Sequence, residues 1–141
     1  MHIHGQCLCG QIAFSTTHPI QSIYHCHCSL CRKQRGTAAN AATLVPQTRF
    51  QWQSGQQYIQ TFKKETGYTV YFCQCCGSPV PNPVGDTDWI WIPLGLLDND
   101  ITPKQRLHFC LNSKSAWEDL NLNQSQFSAL PSKDELQQLF G

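Results

Sequence analysis

Cys26-His27-Cys28-Ser29-Leu30-Cys31 sets three thiols within six residues. Thiolates are soft donors that suit zinc, and sulfurs two and then three positions apart on a bending backbone can converge on a point about 2.3 Å from each of them. Three such ligands leave one tetrahedral position for solvent or substrate, which makes Cys26, Cys28 and Cys31 the first candidates for chemistry. Two plainer readings stand beside this one: a closed four-ligand site whose last ligand lies elsewhere in the chain, and a disulfide with one free thiol. A histidine between two inward-facing ligands faces away from them, so His27 is expected as a donor behind the ligands or a solvated side chain.

Two further cysteine groups flank this stretch. Gly5-Gln6-Cys7-Leu8-Cys9-Gly10 is a turn in which glycines bracket two thiols. Cys73-Gln74-Cys75-Cys76-Gly77 follows the apolar run Tyr68–Phe72 and carries the Cys-x2-Cys spacing of a rubredoxin-like knuckle. Cys7 and Cys9 with Cys73 and Cys76 make a four-thiolate set, the composition of a closed structural zinc that would staple distant segments. Alternation turns Cys75 away from such a site. Cys75 and Cys110 remain as spare thiols.

Nine cysteines in 141 residues would suggest a disulfide framework in a secreted chain. The odd number and the Cys-x-Cys spacings argue for metal instead, because neighbours two apart are poorly placed to bridge each other. Met1–Gly5 contains no apolar run and no stretch reaches the length of a membrane span, so the expected location is cytoplasmic. The formal net charge is +1 with neutral cysteines. Seven thiolates around two Zn2+ ions add seven negative and four positive charges and bring it to −2. Only ten Lys and Arg are present, too few for the clustered cations of a phosphate-binding surface, so no nucleic-acid role is expected.

The rest of the chain reads as a β-rich domain of short strands. Gln11–Ser15, Ile20–Tyr24, Thr37–Val45, Phe50–Trp52, Tyr58–Phe62, Tyr68–Phe72 and Asp88–Gly95 are the candidates, with turns at Ser54–Gln57 and Lys63–Gly67. Ser29 is a candidate N-cap and Gly36 a stop for one or two helical turns through Arg32–Arg35. Pro79, Pro81 and Pro83 prevent a regular central strand after the knuckle. Trp89 and Trp91 read as core or half-buried sheet, or alternatively as a wall of a ligand cleft. After Pro103 the tail is expected to be irregular until Ser132 and Glu135 match a capping box ahead of Leu136, Leu139 and Phe140. With no repeat or linker, a single domain over residues 1–141 is expected, with a core of about 5–117 and a tail over 118–141.

These residues carry a family resemblance. Cys7-Leu8-Cys9-Gly10, Cys26-His27-Cys28-Ser29-Leu30-Cys31-Arg32-Lys33, Phe72–Ser78, Gly95–Asp98, and His108 with Ser113–Trp117 resemble the glutathione-dependent formaldehyde-activating enzymes and centromere protein V. The resemblance implies a mainly β, Mss4-like fold of short antiparallel strands stapled by zinc, with short peripheral helices. It implies a structural zinc on Cys7, Cys9, Cys73 and Cys76, and a second zinc on Cys26, Cys28 and Cys31. It also implies carbon–sulfur lyase chemistry on the adduct of a small thiol such as glutathione and a small aldehyde such as formaldehyde. Arg32, Lys33 and His108 are the candidate contacts to the thiol substrate. Two positions depart from the family pattern: Val70, where an arginine is common, and the small residues Thr37–Ala42, where an aromatic is common; both are expected to reshape the pocket wall. The alternative functions are a non-enzymatic zinc-stabilised binding module and, on the spare thiols, redox work of the methionine-sulfoxide-reductase kind.

Overall fold

The computed structural model describes residues 2–120 and 124–141. In chain order its strands are β1 (Ile3–Gln6), β2 (Ala13–Thr16), β3 (Ser22–Cys26), β4 (Asn40–Pro46), β5 (Phe50–Ser54), β6 (Ile59–Lys63), β7 (Thr69–Cys73), β8 (Pro79–Val80), β9 (Asn82–Pro83), β10 (Trp89–Pro93), β11 (Gln105–Phe109) and β12 (Ser125–Gln126). The helices α1 (Ser29–Arg35) and α2 (Lys133–Phe140) are both short. This mostly β content agrees with an Mss4-like fold. The chain divides into two compact units, Met1–Pro19 with Leu44–Ile101 and Ile20–Thr43 with Thr102–Gly141, and β4 carries the backbone from the second into the first.

In the first unit β1, β2 and β5 form one antiparallel sheet and β6, β7 and β8 another. β1 alternates buried Ile3 and Gly5 with exposed His4 and Gln6, the period-two pattern of a half-covered strand. Gly5 pairs with Phe14, and a Cβ there would fall 2.4 Å from the Phe14 ring, so only glycine lets that ring cross the strand. Phe14, Val45, Ile90 and Ile92 make one apolar cluster. Cys7, Ile12, Cys73 and Val80 make another, packed by Trp52, Tyr58, Ile59 and Tyr71. The prolines do confine the segment after the knuckle to the two-residue strands β8 and β9. On β10 the isoleucines are buried and Trp89 and Trp91 half-buried.

In the second unit the strand order is β12-β11-β3-β4. β4 runs antiparallel to β3, but β11 lies parallel to β3 and to β12. This corrects the expectation of antiparallel strands alone, and of an irregular tail after Pro103. Only Leu107 and Phe109 in Gln105–Phe109 are strongly apolar, so the run is too polar to stand out by itself. Pairing with β3 buries Leu107, His108 and Phe109 all the same. Tyr24 and Phe109 stack at 4.6 Å, and Phe140 of α2 meets both edge-on. The Ser132–Glu135 capping box forms as the sequence indicates, and fixes the start of α2.

Candidate metal centres

The sulfurs of Cys7, Cys9, Cys73 and Cys76 lie within 4.8 Å of one another in the first unit. Cys7 and Cys9 are 3.6 Å apart and Cys9 and Cys73 3.8 Å, while a tetrahedron with sulfurs about 2.3 Å from its centre has edges of about 3.8 Å. Backbone turns present these thiols: the Gly10 amide donates to the Cys7 carbonyl, and the Gly77 amide, at φ 77, to the Cys73 carbonyl. The Ile12 amide donates to Cys7 Sγ and the Cys75 amide to Cys73 Sγ, both at 3.4 Å. Although the Gln11 amide pulls it down, desolvation and the thiols of Cys7, Cys76 and Cys73 hold Cys9 up at about 12. Against desolvation, Ser78 and the Cys9 amide bring Cys76 down to about 6. Of these two thiols Cys76 is thus the easier to ionise and Cys9 the harder. Cys75 is exposed and outside the group.

The second group is local. Cys26 ends β3, Cys28 caps α1 and Cys31 sits in its first turn, and their sulfurs also lie within 4.8 Å of one another. Cys28, not Ser29, is the N-cap: its sulfur accepts the Cys31 amide at 3.3 Å, and Gly36 closes the helix at φ 67. The helix therefore begins at Ser29, with its first amides already turned onto a ligand sulfur. The thiols of Cys26 and Cys31 and the amides of Cys31 and Leu30 hold Cys28 down at about 2. Hydrogen bonding with Cys28 and Cys31, and burial, push Cys26 far above the usual thiol range. Both groups are chemically fit for a soft, tetrahedral cation. Among thiolates this close together, such a cation would offset their mutual charge repulsion.

A cleft of about 380 Å³ in the same unit is lined by His25, His27 and His108, by Thr37, Ala38 and Ala39, and by Glu118, Asp119, Leu120 and Gln124. His27 does face away from the cysteines, but it is buried rather than solvated: its Nε2 lies 3.0 Å from His108 Nδ1. His25 pairs with His108 across the parallel strands, and their rings stack at 5.1 Å. His108 Nε2 meets Gln124 Oε1, and an amide oxygen only accepts, so His108 donates there and its Nδ1 accepts a hydrogen bond from His27 Nε2–H. Desolvation, then the charges of His108, His25, Lys114 and Arg32, lowers His27 to about 4, and it is neutral at pH 7. Burial lowers His25 as well.

Of the three candidate substrate contacts, only His108 lines the cleft. Arg32 Nε donates to the His27 carbonyl at 3.3 Å and so braces the loop between the ligands, and Lys33 is exposed. Thr37–Ala39 do form part of the wall, and Val70 is buried on β7 of the first unit. Glu118, Asp119 and Gln124 are cleft residues that no sequence signal singled out.

The model of the glutathione-dependent formaldehyde-activating enzymes matches residues 2–113, most of the chain and all seven grouped cysteines. The chain belongs to this family. A Halomonas elongata protein whose name provisionally gives it the same activity is 25% identical over 136 residues, covering 85% of this chain and 82% of its own. The crystal structure of a Rhodobacter sphaeroides protein, 15% identical, superposes with a TM-score of 0.58 over 88% of this chain and 98% of that one, a likeness of fold. Among the described residues, no helix is long and apolar enough to cross a membrane.

Proposed function

We propose that this member of the formaldehyde-activating family is a cytoplasmic, single-domain zinc enzyme of the carbon–sulfur lyase type. Its substrate is the adduct of a small thiol such as glutathione and a small aldehyde such as formaldehyde. The observation that carries the reading is a three-sulfur group, Cys26, Cys28 and Cys31, whose neighbours His25 and His27 line a cleft. Cys7, Cys9, Cys73 and Cys76 hold a structural zinc, and Cys26, Cys28 and Cys31 a second one. Zinc at the second site would supply a positive centre that lowers the pKa of a bound thiol, since a strongly donating three-thiolate shell favours thiolate delivery over water activation.

The chain's own residues do the rest. Cys28, accepting backbone amides, keeps a ligand sulfur anionic. The Gln124–His108–His27 line holds both imidazole rings in fixed orientations at the cleft, with hydrogen-bonding edges available to a substrate. The small side chains of Ala38 and Ala39 leave room for the thiol's body.

The test is Cys28→Ser. It is expected to lose about one zinc per chain, keep its fold and its first metal, and lose acceleration of the exchange between glutathione, formaldehyde and their adduct. Because the adduct forms spontaneously, exchange is measured at equilibrium with and without protein. Equal rates for wild type, C28S and buffer across a panel of small thiols and aldehydes would remove the enzyme and leave a zinc-stabilised binding module.

A further inference from the structure

Cys110 follows β11 directly, is half-buried, and places its sulfur 3.9 Å from that of Cys26. The parallel ladder holds the two together: Phe109 is the register partner of Cys26, and the His27 amide donates to the Phe109 carbonyl at 3.0 Å. The contact is with Cys26, and Cys110 stands outside the tight group that Cys26 forms with Cys28 and Cys31.

The backbone at Cys110 is unusual as well. Among the described residues it is the one position other than glycine with a positive φ, at φ 60 and ψ 43. This left-handed region crowds any Cβ against the neighbouring carbonyl, so glycine is the residue that fits it. A cysteine there, with its sulfur one tetrahedral edge of about 3.8 Å from a ligand thiol, points to a use for the sulfur.

We propose that Cys110 is the fourth, displaceable ligand of the second metal site. With zinc held by Cys26, Cys28 and Cys31, a turn of the Cys110 side chain would bring its sulfur from beside Cys26 to the ion as a fourth donor. An incoming small thiol would replace it, the thiol's proton passing to the released Cys110 sulfur, so that the total charge of the donor set would not change. This inference rests on the reading of Cys26, Cys28 and Cys31 as zinc ligands, and adds to it how the site is guarded when no substrate is present.

The experiment uses the full chain loaded with cobalt(II), comparing wild type with Cys110→Gly and Cys110→Ser. Glycine suits the backbone at this position, so C110G removes the sulfur without straining the fold. Both variants are expected to bind two cobalt ions, with thiolate-to-cobalt charge transfer at the second site down by roughly a quarter, one sulfur of four. In wild type, iodoacetamide should modify Cys110 slowly while metal is bound and several-fold faster once glutathione is added, with exposed Cys75 unaffected. Two cobalt ions with unchanged charge transfer in C110G would overturn the proposal while leaving the second site standing. So would equal alkylation of Cys110 with and without metal, or a Cys26–Cys110 disulfide in the loaded chain. A wild type that binds a single cobalt would overturn the second site and this inference together.

Discussion

The two cysteine groups use the same donor atom for different ends. In the first, four sulfurs come from segments 64 residues apart, and Cys7 and Cys73 are sealed inside an apolar cluster at 2% and 0% exposure. In the second, three sulfurs come from one short stretch, and the Cys28 sulfur doubles as a helix cap. Ions that join distant segments remove a large loop entropy from the unfolded chain, whereas ions that join neighbours remove little. The first group accordingly ties distant segments of the chain together, and the second joins only neighbouring ones.

Cys73→Ser is the largest test of that contrast. It puts a hydroxyl in place of a buried thiol and removes one donor of the proposed structural zinc, so little soluble folded protein is expected, against a C28S chain expected to fold and keep one zinc. Yield, thermal unfolding and zinc content measured side by side decide it. A C73S protein with normal unfolding and unchanged zinc would erase the distinction from one side, and complete unfolding of C28S from the other.

A smaller effect sharpens the second unit alone. His27 is lowered from about 6.5 to about 4. The unfolded chain therefore takes up its proton first, and the stability contributed by the neutral imidazole is full above about pH 6.5 and is lost as pH falls toward about 4. His27→Gln lacks this term. The stability gap between wild type and H27Q should shrink over that window, a comparison in which acid loss of metal enters both proteins alike. Parallel pH curves would show that the buried imidazole is not what the acid attacks.

The smallest effect belongs to Cys75→Ser. An exposed thiol outside the four-sulfur group should change stability by no more than about 0.5 kcal/mol and leave the zinc content alone. A lost zinc would mean that Cys75 takes part in the staple.

Short-range chemistry in the sequence determined a good deal. The spacing within each cysteine group, the glycine-bracketed turn, the proline-broken strands and the Ser132–Glu135 box each depend on residues a few positions apart, and each formed where the sequence put it. The cap of α1 was one residue off, because a thiol took the role usually given to a hydroxyl. What tertiary structure alone decided is β11. Its polar run became a strand because β3 offered a parallel ladder and a buried face, and a parallel partner is separated from its mate by a long crossover that no local pattern reports. That pairing set His108 against His25 and His27 and Cys110 against Cys26. The sequence named the thiols, and the long-range register chose which histidines and which spare sulfur stand beside them.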